Sequence, residues 1–169
     1  WKVGGPADIF FIPNDRKDLS DFFKSNDCII TWLGNGTNIL VRDAGVRGAV
    51  ISTRKSLNKI ELIDQSNYLV EVGVSCFELA MYATKNNFGP AAFFSGIPGS
   101  IGGALTMNAG CFGNETWEFV KSVEVMDRNG EIHQLDPEEF SISYRSVGFP
   151  FPLWFLSCVM SFPEEGFTT

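Results

Sequence analysis

The sequence predicts an α+β protein of two lobes, a small βαβ lobe to about residue 55 and a larger, mostly antiparallel lobe from residue 56 to 169. Three observations carry that prediction. Apolar runs flank a single helical pattern in the opening third, which reads as strand, helix, strand. Beyond it come two pairs of alternating runs joined by turn residues, the signature of hairpins. Two glycine-rich stretches fall one in each lobe, so a ligand gripped by both would sit at the lobe interface.

Taken in order, Ala7–Ile12 suits a first strand, and Pro13-Asn14-Asp15 opens a helix with Leu19, Phe22 and Phe23 on one face. Ser25-Asn26-Asp27 ends it. Cys28–Leu33 is almost wholly apolar, which predicts a strand covered on both faces and parallel-paired with the first through a right-handed crossover. Ile39-Leu40-Val41 is strand-like, and Gly48–Ser52 makes another short strand. Ile60–Asp64 and Tyr68–Val74 alternate around Gln65-Ser66-Asn67. Ser75-x-x-Glu78 is a capping box for a helix through Asn86, with Phe77, Leu79, Ala80 and Ala83 as its apolar face. Val120–Met126 and Glu131–Leu135 meet through Asn129-Gly130, a strong hairpin signal. Pro137–Phe140 is a helical turn, Tyr144-Arg145-Ser146 a polar step, and Trp154–Phe162 the last strand.

The stretch from Phe93 to Glu115 organises the rest. It holds Gly96, Gly99, Gly102, Gly103, Gly110 and Gly113, and Glu115 is its one ionised group. Glycine inside a helix costs about 0.5–1 kcal/mol against alanine, so this density predicts a loop rather than a packed element. Such a backbone can lie close against another molecule with its N–H groups free, while Ser95, Ser100, Thr106 and Asn108 add side-chain donors. The other loop, Gly34-Asn35-Gly36-Thr37-Asn38, follows an apolar strand. It lacks the third glycine of a Rossmann loop and the lysine of a Walker loop. What remains is either a nest of backbone donors for phosphate, for which Asn and Gly supply positive φ, or an Asn-Gly hairpin turn.

Composition excludes several classes. An apolar fraction of 44% with 14% aromatic supports a real core, rich in its sixteen Phe, and excludes a disordered chain. With 13 basic and 20 acidic residues the net charge is −7, which argues against sequence-independent nucleic-acid binding. Cys28, Cys76, Cys111 and Cys158 form no CxxC pair and His133 is the one histidine, so no Cys/His metal site is expected. The cysteines read as buried residues of a cytoplasmic protein, with no signal peptide or membrane span.

Gly34–Asn38, Ser-Gly-Ile-Pro-Gly-Ser-Ile-Gly-Gly-Ala at 95–104, Asn-Ala-Gly at 108–110 and Tyr-Arg-Ser at 144–146 stand in register with one family, as does the Val3–Ala7 opening. The chain resembles the UDP-N-acetylenolpyruvoylglucosamine reductases, flavoenzymes of peptidoglycan precursor synthesis. The resemblance implies a two-lobed FAD-binding fold of the vanillyl-alcohol-oxidase/PCMH type. It assigns Gly34, Asn35, Gly36, Thr37, Asn38 and Ile39 to the cofactor, the loop itself to the pyrophosphate. It assigns Ser95, Gly96, Ile97, Pro98, Gly99 and Ser100, then Gly102, Gly103 and Ala104, and finally Asn108 and Gly110, to the flavin and its linker. The reaction implied is hydride transfer from NADPH to FAD and then to the enolpyruvyl double bond, giving UDP-N-acetylmuramate.

Arg145 would be catalytic, its guanidinium meeting the negative charge that develops toward the substrate carboxylate, with Tyr144 as a second substrate-site residue. From the residues alone, Arg145 is also a surface arginine beside a turn and Tyr144 a half-buried packing residue. The family further implies a cytoplasmic monomer serving cell-wall biogenesis, and through it cell shape, cell cycle and division. Family members carry a C-terminal substrate-binding domain with a proton-donating serine and a late glutamate, neither with a counterpart here; the abrupt start favours a fragment. Phe151, Trp154 and Phe155 are the candidates for an apolar patch facing that domain. An FAD-dependent oxidase of the same fold type, or a non-catalytic flavin- or nucleotide-binding module, is the alternative.

Overall fold

The computed structural model describes residues 3–86 and 89–162; the Trp1-Lys2 opening and residues 163–169 of the second lobe lie outside it. The chain starts with strand β1, Ala7–Phe11, and helix α1, Arg16–Ser25. Asp15 caps α1 by accepting the Asp18 N–H at 2.8 Å. Leu19 and Phe23, one turn apart, are buried, while Phe22 stacks on Phe11 with ring centroids 4.3 Å apart. Strands β2, Ile30–Leu33, and β3, Val46–Ser52, complete a parallel sheet of order β1-β3-β2.

The expected parallel pairing of the first two strands is therefore mediated, not direct: β3 lies between them, with Phe10 and Thr31 both opposite Val50. Buried Ala49, Val50 and Ile51 explain why β3 takes the centre. Displaced to an edge, β2 is half-buried along its whole length rather than covered on both faces. Ile39–Val41 is irregular rather than strand-like, and Ile39 and Leu40 are exposed.

The second sheet is antiparallel and five-stranded, in the order β4-β5-β12-β8-β9. Its strands are β4 (Ile60–Leu62), β5 (Asn67–Glu71), β8 (Val120–Asp127), β9 (Ile132–Leu135) and β12 (Leu153–Ser161). At the β8–β9 turn Gly130 has φ 77°, and the Asp127 carboxylate accepts the Asn129 and Glu131 N–H groups at 2.8 and 3.0 Å. That carboxylate also meets His133 Nε2 at 2.8 Å. Phenylalanines fill the core as expected: Phe94 and Phe162 are fully buried, and Phe93 and Phe119 pack around them. Burial pushes the Cys76 thiol up to about 12 and raises Cys158 too, so both are core residues; Cys28 and Cys111 are only half-buried.

Phe151, Trp154 and Phe155 do not form a bare patch. Phe155 is 4% exposed among Trp117, Phe140 and Phe149. Trp154 packs on Phe23 at 4.7 Å, and Phe151 meets the His133 ring edge-on. Side-chain bonds at α1 and the residues just after it tie the two sheets together. Arg16 reaches Glu71 at 2.6 Å and Glu124 at 2.5 Å, and Glu71 also accepts the Lys59 N–H. Ser20 Oγ donates to the Gly130 carbonyl at 2.7 Å. Arg128 donates to the Asn26 and Cys28 carbonyls just past the end of α1. Several charge-assisted bonds acting on one helix fix the distance between the lobes, and with it the geometry of anything built across them.

Candidate functional site

Two helices begin side by side next to the first lobe. Helix α2, Cys76–Lys85, and helix α3, Ile101–Met107, have Ser75 and Ser100 as N-caps, and these two residues form a β-bridge. Cys76 N–H donates to the Gly99 carbonyl at 2.9 Å and Ile101 N–H to the Val74 carbonyl at 2.8 Å. The capping box on α2 is complete: Ser75 Oγ accepts from the Glu78 N–H, and the Glu78 carboxylate accepts from the Ser75 N–H and hydroxyl. Those two donors hold the Glu78 carboxyl below its usual range. The buried stripe of α2 is Cys76, Leu79, Ala80 and Ala83, so Phe77 falls beside it and is 59% exposed instead of lying on the apolar face.

The glycine-dense stretch is not a loop throughout. Gly89–Gly96 forms a 3₁₀ run and α3 is a helix in spite of Gly102 and Gly103. Packing overrides propensity here: Ile101, Gly102, Ala104 and Leu105 are all buried. A Cβ on Gly102 would stand 3.1 Å from the Val72 Cβ, and its N–H donates to the Val72 carbonyl. The glycine lets α3 lie directly on the backbone leading out of β5.

At the start of α3 the two glycine-rich stretches meet. A Cβ on Gly34 would run into Ser100 Oγ, and one on Gly99 would stand 3.4 Å from Thr37 Oγ1. Gly36 has φ 71°, the left-handed backbone the sequence required of it. Beside this junction lies an open cleft of about 390 Å³, lined by Asn35 and Thr37 from one lobe and by Ser75, Phe77 and Ser95–Gly99 from the other. Its walls combine the side chains of Phe77, Ile97 and Pro98 with backbone, hydroxyl and amide groups of Asn35, Thr37, Ser75 and Ser95.

From its N-terminal end, α3 presents an exposed track. Gly103, Thr106 and Met107 face outward at helical spacing, with the Thr106 hydroxyl turned back to the Gly102 carbonyl. The helix ends at Asn108, whose backbone is left-handed with φ 42°. Asn108 is buried and its carboxamide is committed internally, donating to Glu115 at 2.7 Å and to the Ser143 carbonyl at 3.1 Å and accepting the Trp117 N–H. Next comes a tight hairpin of β6, Gly110–Cys111, and β7, Asn114–Glu115, with Phe112 and Gly113 at its tip. A second hairpin, β10 (Ser141–Ser143) and β11 (Ser146–Gly148), turns at Tyr144-Arg145. Arg145 Nη2 donates to the Gly110 carbonyl at 3.2 Å, and its guanidinium lies 5.8 Å from the Tyr144 ring centroid. Tyr144 is exposed rather than half-buried.

The residues singled out in the sequence thus separate into those that offer surface and those that support it. Gly34, Asn35, Gly36, Thr37, Asn38 and Ile39 are exposed or half-exposed, as are Ser95, Gly96, Pro98, Gly99, Gly103 and Gly110. Ile97, Ser100, Gly102, Ala104 and Asn108 are buried beneath them. Arg145 and Tyr144 stand at the far end of α3 and do not line the cleft beside the Gly34–Asn38 loop. Sequence reading missed Ser75 and Phe77 as cleft residues. The signal was there, since Phe77 sits one residue off the i, i+3, i+4, i+7 stripe that begins at Cys76.

This two-lobed α+β arrangement, with a glycine-rich loop of each lobe closing on the other, defines a class. Residues 7–136 match the family model described as FAD binding domain, and the chain belongs to that family. Within it the chain resembles the FAD-binding portion of UDP-N-acetylenolpyruvoylglucosamine reductases. It is 45% identical over 159 residues to the reductase of Nitrosococcus oceani, covering 93% of this chain and 53% of that protein. The reductase of Methylococcus capsulatus is 41% identical over 169 residues, covering 98% and 56%. The chain spans about half the length of the curated relatives it matches. Among solved structures, UDP-N-acetylenolpyruvylglucosamine reductase from Thermus caldophilus superposes with TM-score 0.77 at 28% identity, over 96% of this chain and 59% of that one. A Phl p 4 variant, a glucose dehydrogenase, shares the fold with TM-score 0.68 at 14% identity, over 96% and 36%. Among the described residues, no helix is long and apolar enough to cross a membrane.

Proposed function

We propose that this chain is the FAD-holding part of an NADPH-dependent reductase that converts UDP-N-acetylenolpyruvoylglucosamine to UDP-N-acetylmuramate in the cytoplasm. Residues 1–55 and 56–169 serve as the two lobes of its FAD-binding domain. The observation that carries the reading is the junction of Gly34 with Ser100 and of Thr37 with Gly99, from which the exposed track of α3 leads to Gly110 and Arg145. The fit to FAD is good on that geometry. A diphosphate needs backbone donors at a left-handed glycine, which Gly36 provides, and an extended linker needs a helix face without bulk, which Gly99 and Gly103 provide.

FAD, when bound, supplies the hydride relay between NADPH and substrate. The chain's own residues hold and orient. The Gly34–Asn38 loop would meet the diphosphate with its backbone donors, the buried Ser100 and Gly102 fix α3, and Arg145 would meet the charge developing on the substrate carboxylate. The test uses Arg145→Ala in the intact protein and follows the two half-reactions separately by stopped flow. Flavin reduction by NADPH stays near the wild-type rate, while transfer to the enolpyruvyl group slows about a hundredfold or more, as for loss of one charge-stabilising donor. Equal slowing of both half-reactions would make Arg145 structural and remove this assignment.

A further inference from the structure

The β6–β7 hairpin carries an anomaly that the diphosphate junction does not explain. Among the described residues four non-glycine residues adopt left-handed backbone: Leu57, Asn108, Phe112 and Arg145. Three of these four gather at the far end of α3. Asn tolerates this conformation, but a bulky side chain does so at a cost, and such outliers concentrate where function requires them. Phe112 has φ 53° in a two-residue turn with Gly113 at φ 84°, the position where Asn-Gly or Asp-Gly is relaxed. Strain is not offset by burial, because Phe112 is 78% exposed. The ring is nevertheless placed. Its edge comes within 2.9 Å of where a Cβ on Gly96 would stand, so Gly96 has to be a glycine for the ring to lie there. Gly96 also lines the cleft beside the diphosphate loop, and Gly110, at the foot of the same hairpin, accepts from Arg145. Phe112 is therefore laid against the bare backbone of Gly96 on one side and open on the other, two residues along the hairpin from the carbonyl that Arg145 holds.

We propose that Phe112 is a stacking surface for the planar isoalloxazine ring, positioning it between Gly96 and Arg145; this rests on the FAD reading above. A flat, rigid, apolar ring needs a flat partner, and an aromatic held on a strained turn is oriented before the ligand arrives. The left-handed turn is what aims the ring.

The experiment compares the intact wild-type protein with Phe112→Asn and Phe112→Tyr, titrating FAD, FMN and ADP and recording melts without ligand. Asn relieves the turn, so Phe112→Asn melts no lower than wild type. It binds FAD and FMN about tenfold more weakly, the loss expected when one stacked ring partner is removed, and binds ADP unchanged. Phe112→Tyr keeps wild-type affinity for all three. Undiminished FAD and FMN binding by Phe112→Asn overturns the proposal, as does an ADP loss equal to the FMN loss. A lower melting temperature together with weakened FMN would make Phe112 structural and overturn it too. If the wild type binds neither FAD nor FMN, it is the FAD reading itself that fails.

Discussion

The two glycine-rich stretches look alike in sequence and use glycine for opposite ends. In Gly34–Asn38 the chain is irregular and open, and Gly36 is glycine because φ is 71°; a Cβ there would meet only side-chain carbons at 3.7 Å. In Phe93–Glu115 the chain is largely regular, and its glycines are mostly spaces that neighbours fill. Val72 occupies the space at Gly102, Cys111 and Phe112 that at Gly96, and the Asn114 carbonyl that at Gly110. At Gly36 glycine serves the backbone conformation, whereas at Gly102, Gly96 and Gly110, and also at Gly34 against Ser100, it makes room for a neighbour. Glycine density alone does not tell these apart; φ and the neighbour at the missing Cβ do.

The largest effect expected from this contrast is at Gly36. Gly36→Val resists positive φ and fills the space beside the loop, so FAD binding is lost while the fold is kept, the empty protein melting lower by the strain of one left-handed Val. Isothermal titration with FAD and a ligand-free melt check both halves, and wild-type affinity in the variant would remove the loop from the cofactor site. At Gly102 the expected effect is on folding instead. Gly102→Ala places a Cβ 3.1 Å from Val72 Cβ and 3.3 Å from its carbonyl, and overpacking of that kind costs about 1–3 kcal/mol. One residue further the sign reverses. Gly103 is exposed, with Ser100 Oγ at 3.7 Å as the nearest contact of an added Cβ. Gly103→Ala therefore gains about 0.5–1 kcal/mol in urea unfolding, at the expense of the bare track beside α3. Equal shifts in the two variants would mean that α3 does not rest on Val72 as described.

Much of this was legible in the sequence wherever the cause is local. Asp15 and the Ser75–Glu78 box mark helix starts because a side chain must satisfy the first N–H groups, and Asn129-Gly130 marks a hairpin because the turn needs positive φ. The positive φ at Gly36 followed from the same logic. What could not be read is set by contacts distant along the chain. The central place of β3 depends on Ala49–Ile51 being buried from both sides, and α3 forms because Val72 waits beneath Gly102. The β10–β11 hairpin was missed because Ser-Ile-Ser and Ser-Val-Gly are short and polar, yet it carries Arg145 to Gly110. At the candidate site the motifs named the segments, but not which of their residues face outward.

The smallest effect separates the two helix starts that flank the cleft. Both use a serine cap, but α2 adds the Glu78 carboxylate, whereas the equivalent position of α3 is Gly103. Bonding to the Ser75 hydroxyl and N–H holds Glu78 below its unfolded value, which for a glutamate is about 4.3. A carboxylate depressed on folding adds stability above that value and loses it as the pH falls through its folded one. Glu78 is exposed, so solvent screening keeps the contribution small. Wild type should melt slightly above Glu78→Gln at neutral pH, and the gap should close on acidification below about pH 4. Ser100→Ala, which removes a neutral cap bond to the Gly103 N–H, should lower the melt by an amount that does not change over the same range. A gap for Glu78→Gln that persisted at pH 3 would mean that the neutral hydrogen bonds of the box, not the charge at the start of α2, supply its stability.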